Sequence, residues 1–198
     1  MSEQLSLFEA PPVLPLRYRL LFAIFPDAPA VESIQNHQAG LSKELGLKGK
    51  PRPREILHVT LHHIDDYPEI PERVVASAIE ACTSALAGRP SFEVTFTQAK
   101  SFKGRPGNRP FVLVNPEGNP ALMELHRSLI MELAKHRLAS RGDFNYEPHV
   151  TMLYDQRLVP EQSVSPVTWK VKEVAFILSH LGATKYERLG HWDLHDLG

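Results

Sequence analysis

The chain has 198 residues, a net charge of −1 and a pI near 6.8, with 42% hydrophobic and 23% charged residues. It is long enough to bury a core and ordinary in composition, and its charge balance excludes binding to nucleic acid or membrane by bulk charge, so any basic surface must be local. A single cysteine, Cys82, excludes an internal disulfide, and no apolar run is long enough to span a bilayer. The first residues also lack the basic start and apolar stretch of a secretory signal, so the expected location is the cytoplasm.

Residues 1–15 read as a tail, because Pro11, Pro12 and Pro15 oppose regular structure. Within it, Gln4-Leu5-Ser6-Leu7-Phe8 resembles the short peptides that dock on the bacterial replicative sliding clamp. The alternative is that its apolar residues simply cover the domain surface. From residue 16 to 198 the chain reads as one domain. Leu16 to Phe25 is a buried strand ending at Pro26. A helix follows from about Pro29, with Val31, Ile34, Gln38, Leu41 and Leu45 at helical spacing and Gly46 as its stop.

Next, Lys48 to Arg54 places four cations in seven residues, held extended by Pro51 and Pro53. Such a loop is either plainly solvated or a local attraction for phosphate, with Arg52 and Arg54 nearest the strand that follows. That strand spans Glu55 to Ile64. A second helix covers Pro71 to Leu86, with Val74, Val75, Ala78, Ile79, Cys82 and Leu86 on one face, so core packing is the expected role of Cys82.

Phe92, Val94 and Phe96 alternate with polar residues as a half-buried strand, whose partner is Phe111 to Asn115. The connector between them carries Phe102, Lys103, Arg105 and Arg109. It is either an ordinary polar hairpin or a surface on which Phe102 stacks a base while the cations contact a phosphate backbone. Asn119 and Pro120 open a third helix with Leu122, Leu125, Leu129 and Leu133 inward. Ser140 to Asn145 is a loop, Tyr146 to Tyr154 a strand, and Val167 to Ser179 and Thr184 to Leu194 two long closing strands.

The tripeptide His-Val-Thr occurs twice, at His58-Val59-Thr60 and His149-Val150-Thr151, 91 residues apart and once in each half of the chain. In a strand, the His and Thr of each copy share one face and the Val points away. A duplicated, two-lobed α+β domain accounts for the spacing, and two such strands across a cleft bring together two imidazoles and two hydroxyls. In-line displacement at phosphorus asks for that set: a base, an acid, and donors to the non-bridging oxygens. Histidine suits both proton roles near neutral pH. Ten histidines are present and a lone one in a strand is usually structural, so the recurrence of the whole tripeptide carries the argument. His62, two residues beyond Thr60, is expected on the same face, with His63 pointing away. A metal centre from His58, His62 and His149 lacks the cysteine or carboxylate of a familiar ligand spacing, so no metal and no cofactor is expected.

HVTL at His58–Leu61 and PHVTM at Pro148–Met152 resemble the twin His-x-Thr/Ser-x-hydrophobic signature of the 2H phosphoesterases. The similar branch is the bacterial RNA 2′,3′-cyclic phosphodiesterases, historically called 2′-5′ RNA ligases (LigT-like). The resemblance spans most of residues 16–194. It implies two pseudo-symmetric lobes with antiparallel sheets around a central cleft. It also implies hydrolysis of 2′,3′-cyclic phosphates on RNA ends or nucleotides to 2′-phosphates, and leaves reversible 2′-5′ ligation open. By the same resemblance His149 would activate water, His58 would protonate the departing 3′-oxygen, and Thr60 and Thr151 would hold the phosphate.

The branch often carries Phe-Leu-Gly after the first motif and Arg after the second. Here His62-His63-Ile64-Asp65 and Tyr154 stand in those places, which bears on substrate choice, with His62 and Tyr154 as candidate contacts. The competing readings are an RNA- or nucleotide-binding module without turnover, and an adaptor recruited through Gln4–Phe8.

Overall fold

The computed structural model describes residues 14–196, so the Gln4–Phe8 motif lies outside the described residues. In chain order the elements are β1 (Tyr18–Ile24), α1 (Ala28–Leu45), β2 (Val59–Tyr67), α2 (Glu72–Leu86), β3 (Phe92–Ser101), β4 (Arg109–Val114), α3 (Pro120–Lys135), β5 (His149–Asp155), β6 (Gln162–Val171), β7 (Glu173–His180) and β8 (Lys185–Asp193). Short 3₁₀ turns at Arg54–Ile56 and Arg141–Phe144 precede the two motifs.

All eight strands join one antiparallel sheet in the order β6-β3-β4-β5-β2-β1-β7-β8. The order is symmetric about its middle. β1-α1-β2 on one side corresponds to β4-α3-β5 on the other, and each unit leads into a His-Val-Thr. The halves meet at a narrow seam, where β2 and β5 pair through Val59 and Val150 alone. The two lobes of the sequence reading are therefore the halves of one sheet, hinged at the central residues of the two tripeptides.

One sheet face is apolar and carries the helices. Leu20, Phe22 and Ile24 of β1, Val94 and Phe96 of β3 and Leu113 of β4 form a single core with Val31 and Ile34, Ala78 and Cys82, and Leu122, Leu125 and Leu129 from the three helices. Period-2 strands and period-3.6 helices meet there, which is why those side chains are excluded from water together. Cys82 is fully buried, as core packing requires. α1 starts on Asp27, whose Oδ1 accepts from the Ala30 N–H at 2.9 Å, and stops at Gly46 in the left-handed conformation (φ 63°).

Three expectations change. Asn119 does not cap α3; its buried amide instead bridges to β3, accepting from Thr95 N at 2.8 Å and donating to Thr95 O at 3.0 Å. Glu55 and Ile56 lie in a 3₁₀ turn, and β2 begins only at Val59. The stretch read as one strand from Val167 to Ser179 is two strands broken at Lys172. β6 pairs with β3 at one sheet edge, and β7 lies between β1 and β8 in the other half. β6 starts earlier than expected because an edge strand buries little: Val167, Trp169 and Val171 face inward while Ser163, Ser165 and Pro166 stay at the surface.

Candidate active site

The two histidines flank the seam and are held alike. Nδ1–H of His58 donates to the carbonyl of Ile56 at 2.7 Å, and Nδ1–H of His149 donates to the carbonyl of Glu147 at 2.8 Å. In each case the acceptor lies two residues back, so the local turn before each strand fixes the tautomer. With Nδ1 committed as a donor, Nε2 of the neutral ring carries the lone pair. For His58 that lone pair accepts from the Thr60 hydroxyl at 3.0 Å. The hydroxyls of Thr60 and Thr151 share the same cavity with both rings.

That cavity has a volume of about 430 Å³ and extends from the histidines to Arg19, Arg52, His63 and Tyr186. Aromatic rings confine the imidazoles. Tyr186 meets His58 edge-on at 5.6 Å, Phe25 lies 6.0 Å from it, and Phe102 meets His149 edge-on at 4.8 Å. Burial lowers the pKa of His58 to about 4, against the hydrogen bond that its Nδ1–H donates to the Ile56 carbonyl, and the positive charge of Arg52 lowers it further. Burial also lowers the pKa of His149, opposed by the carbonyl and charge of Glu147. Burial thus favours the neutral form of both rings, each able to act as a base.

Charges in the cavity are unevenly compensated. Arg19 pairs with Asp66 through two bonds of 2.7 Å, His63 reaches the same carboxylate at 3.0 Å, and His180 pairs with Glu187 at 2.8 Å. Arg52 is the arginine of the lining with no carboxylate at ion-pair distance among the described residues; its guanidinium lies 5.9 Å over the Tyr154 ring. An anion entering the cleft meets its uncompensated positive charge at Arg52.

The sequence profile of the 2′-5′ RNA ligase superfamily matches residues 25–188, which include both tripeptides and the residues around them. The chain belongs to the 2′-5′ RNA ligase superfamily. Among solved structures, Escherichia coli LigT in its apo form is 25% identical with a TM-score of 0.67, covering 92% of this chain and 100% of that one. LigT complexed with 3′-AMP is 23% identical at a TM-score of 0.65, covering 91% of this chain and 99% of that one. A protein of Thermus thermophilus shares the fold at 18% identity and a TM-score of 0.69, covering 90% of this chain and 98% of that one. A search among curated proteins gave no match.

For this superfamily member the remaining expected contacts fall into two groups. Arg52, Tyr154 and Phe102 lie at the histidines or on the cavity wall. Arg54 is exposed on its 3₁₀ turn, Lys103 and Arg105 are exposed on the hairpin, and Arg109 donates to the carbonyl of Gln156, so none of these four lines the cavity.

His62 is the clear correction. The register passes from Ala23–Thr60 to Phe22–His62, which inserts Leu61 as an extra residue, a β-bulge. Beyond it the alternation inverts: His62 turns to the helix face, buried, and donates from Nε2 to the carbonyl of Leu138 at 2.9 Å. His63 takes its place in the cleft. The bulge also places His62 on the opposite sheet face from His58, which removes the three-histidine metal centre.

Sequence reasoning missed Arg19, His63 and Tyr186. Arg19 and Tyr186 come from strands read only as structural, and the available signal was their parity along β1 and β8. For His63 that signal pointed the wrong way.

Proposed function

We propose that the cleft hydrolyses 2′,3′-cyclic phosphates of RNA ends or nucleotides to 2′-phosphates by acid–base catalysis between His58 and His149. The observation that carries this reading is the duplicated geometry: two imidazoles, each with Nδ1 tied to the carbonyl two residues back and a Thr beside it, on either side of the Val59–Val150 pair. Membership of a superfamily of phosphodiester-bond enzymes supports it, as does the 3′-AMP complex of LigT.

In the proposed step water attacks phosphorus in line with the 3′-oxygen. His149 Nε2 takes the water proton, the P–O3′ bond breaks, and His58 Nε2–H gives its proton to the departing 3′-oxygen, leaving a 2′-phosphate and a free 3′-hydroxyl. Thr60 and Thr151 donate to the non-bridging oxygens, where negative charge grows. The roles of acid and base are those that the family resemblance implies. Burial, with a smaller contribution from the charge of Arg52, lowers the pKa of His58; a bound phosphate anion offsets the Arg52 charge and favours the protonated ring. Arg52 supplies the guanidinium that Tyr154 does not.

The test is an assay in excess EDTA with nucleoside 2′,3′-cyclic phosphates and a cyclic-ended RNA, with the product read by ³¹P NMR. The expected product is the 2′-monophosphate. Saturable binding without turnover would instead identify a binding module. The proposed cytoplasmic location is consistent with the finding that no described helix is long and apolar enough to cross a membrane. Docking of Gln4–Phe8 on a sliding clamp is a separate proposal, tested by anisotropy of a labelled 1–12 peptide; no saturation at high micromolar clamp would end it.

A further inference from the structure

We infer that Asp155 is a positioning residue that holds Arg52 in the cleft by strapping the 48–54 loop to the end of β5. The inference rests on the phosphate-binding reading above and names what fixes its arginine.

A loop with four cations and two prolines in seven residues has little reason to settle on a protein surface, because its charges repel one another and favour water. This one is docked by backbone contacts. Beyond Val150, β5 has no partner strand on the side where β2 diverges, and the loop takes that edge. Pro51 bridges Leu153 in antiparallel sense, and the Arg52 N–H donates to the Met152 carbonyl at 2.8 Å.

Asp155 closes the arrangement. Its carboxylate, 5% exposed, accepts from Lys48 N at 2.6 Å, Gly49 N at 2.7 Å and Arg157 N at 2.9 Å. A buried carboxylate with three N–H donors and no cation at ion-pair distance among the described residues fixes backbone geometry and leaves the loop's positive charges unspent. Gly49 fits because it has no side chain: a Cβ there would stand 2.1 Å from the Tyr154 carbonyl oxygen. The strap thus sets where Arg52 leaves the backbone, and its side chain runs over Tyr154 into the cleft.

Preorganisation is the function this serves. An arginine on a free loop loses backbone and side-chain freedom when it grips phosphate, and that loss weakens binding; an arginine already held does not incur it. Asp155→Asn keeps the shape but turns an N–H group toward donors. The expected result is a KM for cyclic phosphate, and a Kd for inorganic phosphate, raised about tenfold, with kcat within about twofold of wild type.

The decisive readout is a double-mutant cycle with Arg52→Ala. If Asp155 acts through Arg52, the effect of Asp155→Asn on phosphate Kd disappears in the Arg52→Ala background. Additive effects, or an unchanged Kd in Asp155→Asn, overturn the inference, whatever happens to Tm. Should Asp155→Asn fail to fold, Gly49→Ala pushes the same loop off Tyr154 and must show the same coupling.

Phosphate binding by calorimetry does not depend on turnover, so the two readings fail separately. A wild-type protein that binds phosphate through Arg52 and Asp155 but hydrolyses no cyclic phosphate upholds the strap and rejects the proposed reaction. Turnover with an indifferent Asp155→Asn rejects the strap alone. No phosphate binding by wild type rejects it as well.

Discussion

His126, in α3, should make the stability of the fold depend on pH. The residue is 3% exposed, its ring is stacked on Tyr146 at 3.9 Å with 12° between planes, and the Tyr146 hydroxyl donates to the carbonyl of Thr60 at 2.8 Å. Burial, with a smaller contribution from His62 and against the pull of Asp143, lowers its pKa from 6.5 to about 4. The folded state therefore binds fewer protons than the unfolded state between pH 6.5 and 4, and stability falls as pH falls through that window.

A displacement from 6.5 to about 4 corresponds to on the order of 3 kcal/mol at full development, and on the order of 2 to 3 kcal/mol of it is lost between pH 7.5 and 4.5. His126→Gln removes the titration while lowering stability at every pH through the lost stacking. Urea unfolding of both proteins across pH 4.5 to 7.5 should show the wild-type advantage shrinking by about 2 kcal/mol at the acid end. Parallel stability curves, or an NMR titration of the ring with a midpoint near 6.5, would show that the His126 ring is not held neutral by the fold.

Three further outcomes are expected. Thr60→Val and Thr151→Val should lower kcat on the order of a hundredfold with little change in KM, because a donor to the growing charge is lost; loss confined to KM would contradict that role. Arg52→Ala should raise the pKa of His58 above its value of about 4 in the free protein, and phosphate should raise it in wild type; an NMR midpoint that moves in neither case would remove the substrate-recruited proton. Deleting Leu61 should remove the bulge and leave His62 on the helix face and His63 in the cleft, because His62 then directly follows Thr60, at a severe stability cost since a buried core residue is lost; a protein of wild-type Tm, or one with His62 in the cleft, would contradict this account of the bulge.

The sequence revealed what obeys local periodicity. The three helices, β1 and the two tripeptide strands follow from apolar spacing, and the chemistry follows from a tripeptide repeated across half the chain. It concealed what depends on pairing. The inverted face of His62 and His63 arises from one extra residue opposite Phe22, and a bulge has no signature in β2 itself. β6 was hidden because an edge strand needs few apolar residues, and Asn119 because its amide serves β3 rather than its own helix. Tyr186 reaches the cleft only because β7 returns beside β1 and β8 pairs with β7, a non-local fact. The basic loop was legible as charge but not as a strapped segment, since Asp155 lies more than a hundred residues from Lys48 and Gly49.

The central claim is that two imidazoles carry one displacement at phosphorus. Its most direct test is the rate of 2′,3′-cyclic AMP hydrolysis in excess EDTA by wild type, His58→Ala, His149→Ala and the double variant. Each single change should lower kcat by at least about a hundredfold, and the double variant should be little worse than either, because the pair acts as a unit. Full activity in either single variant would contradict the account.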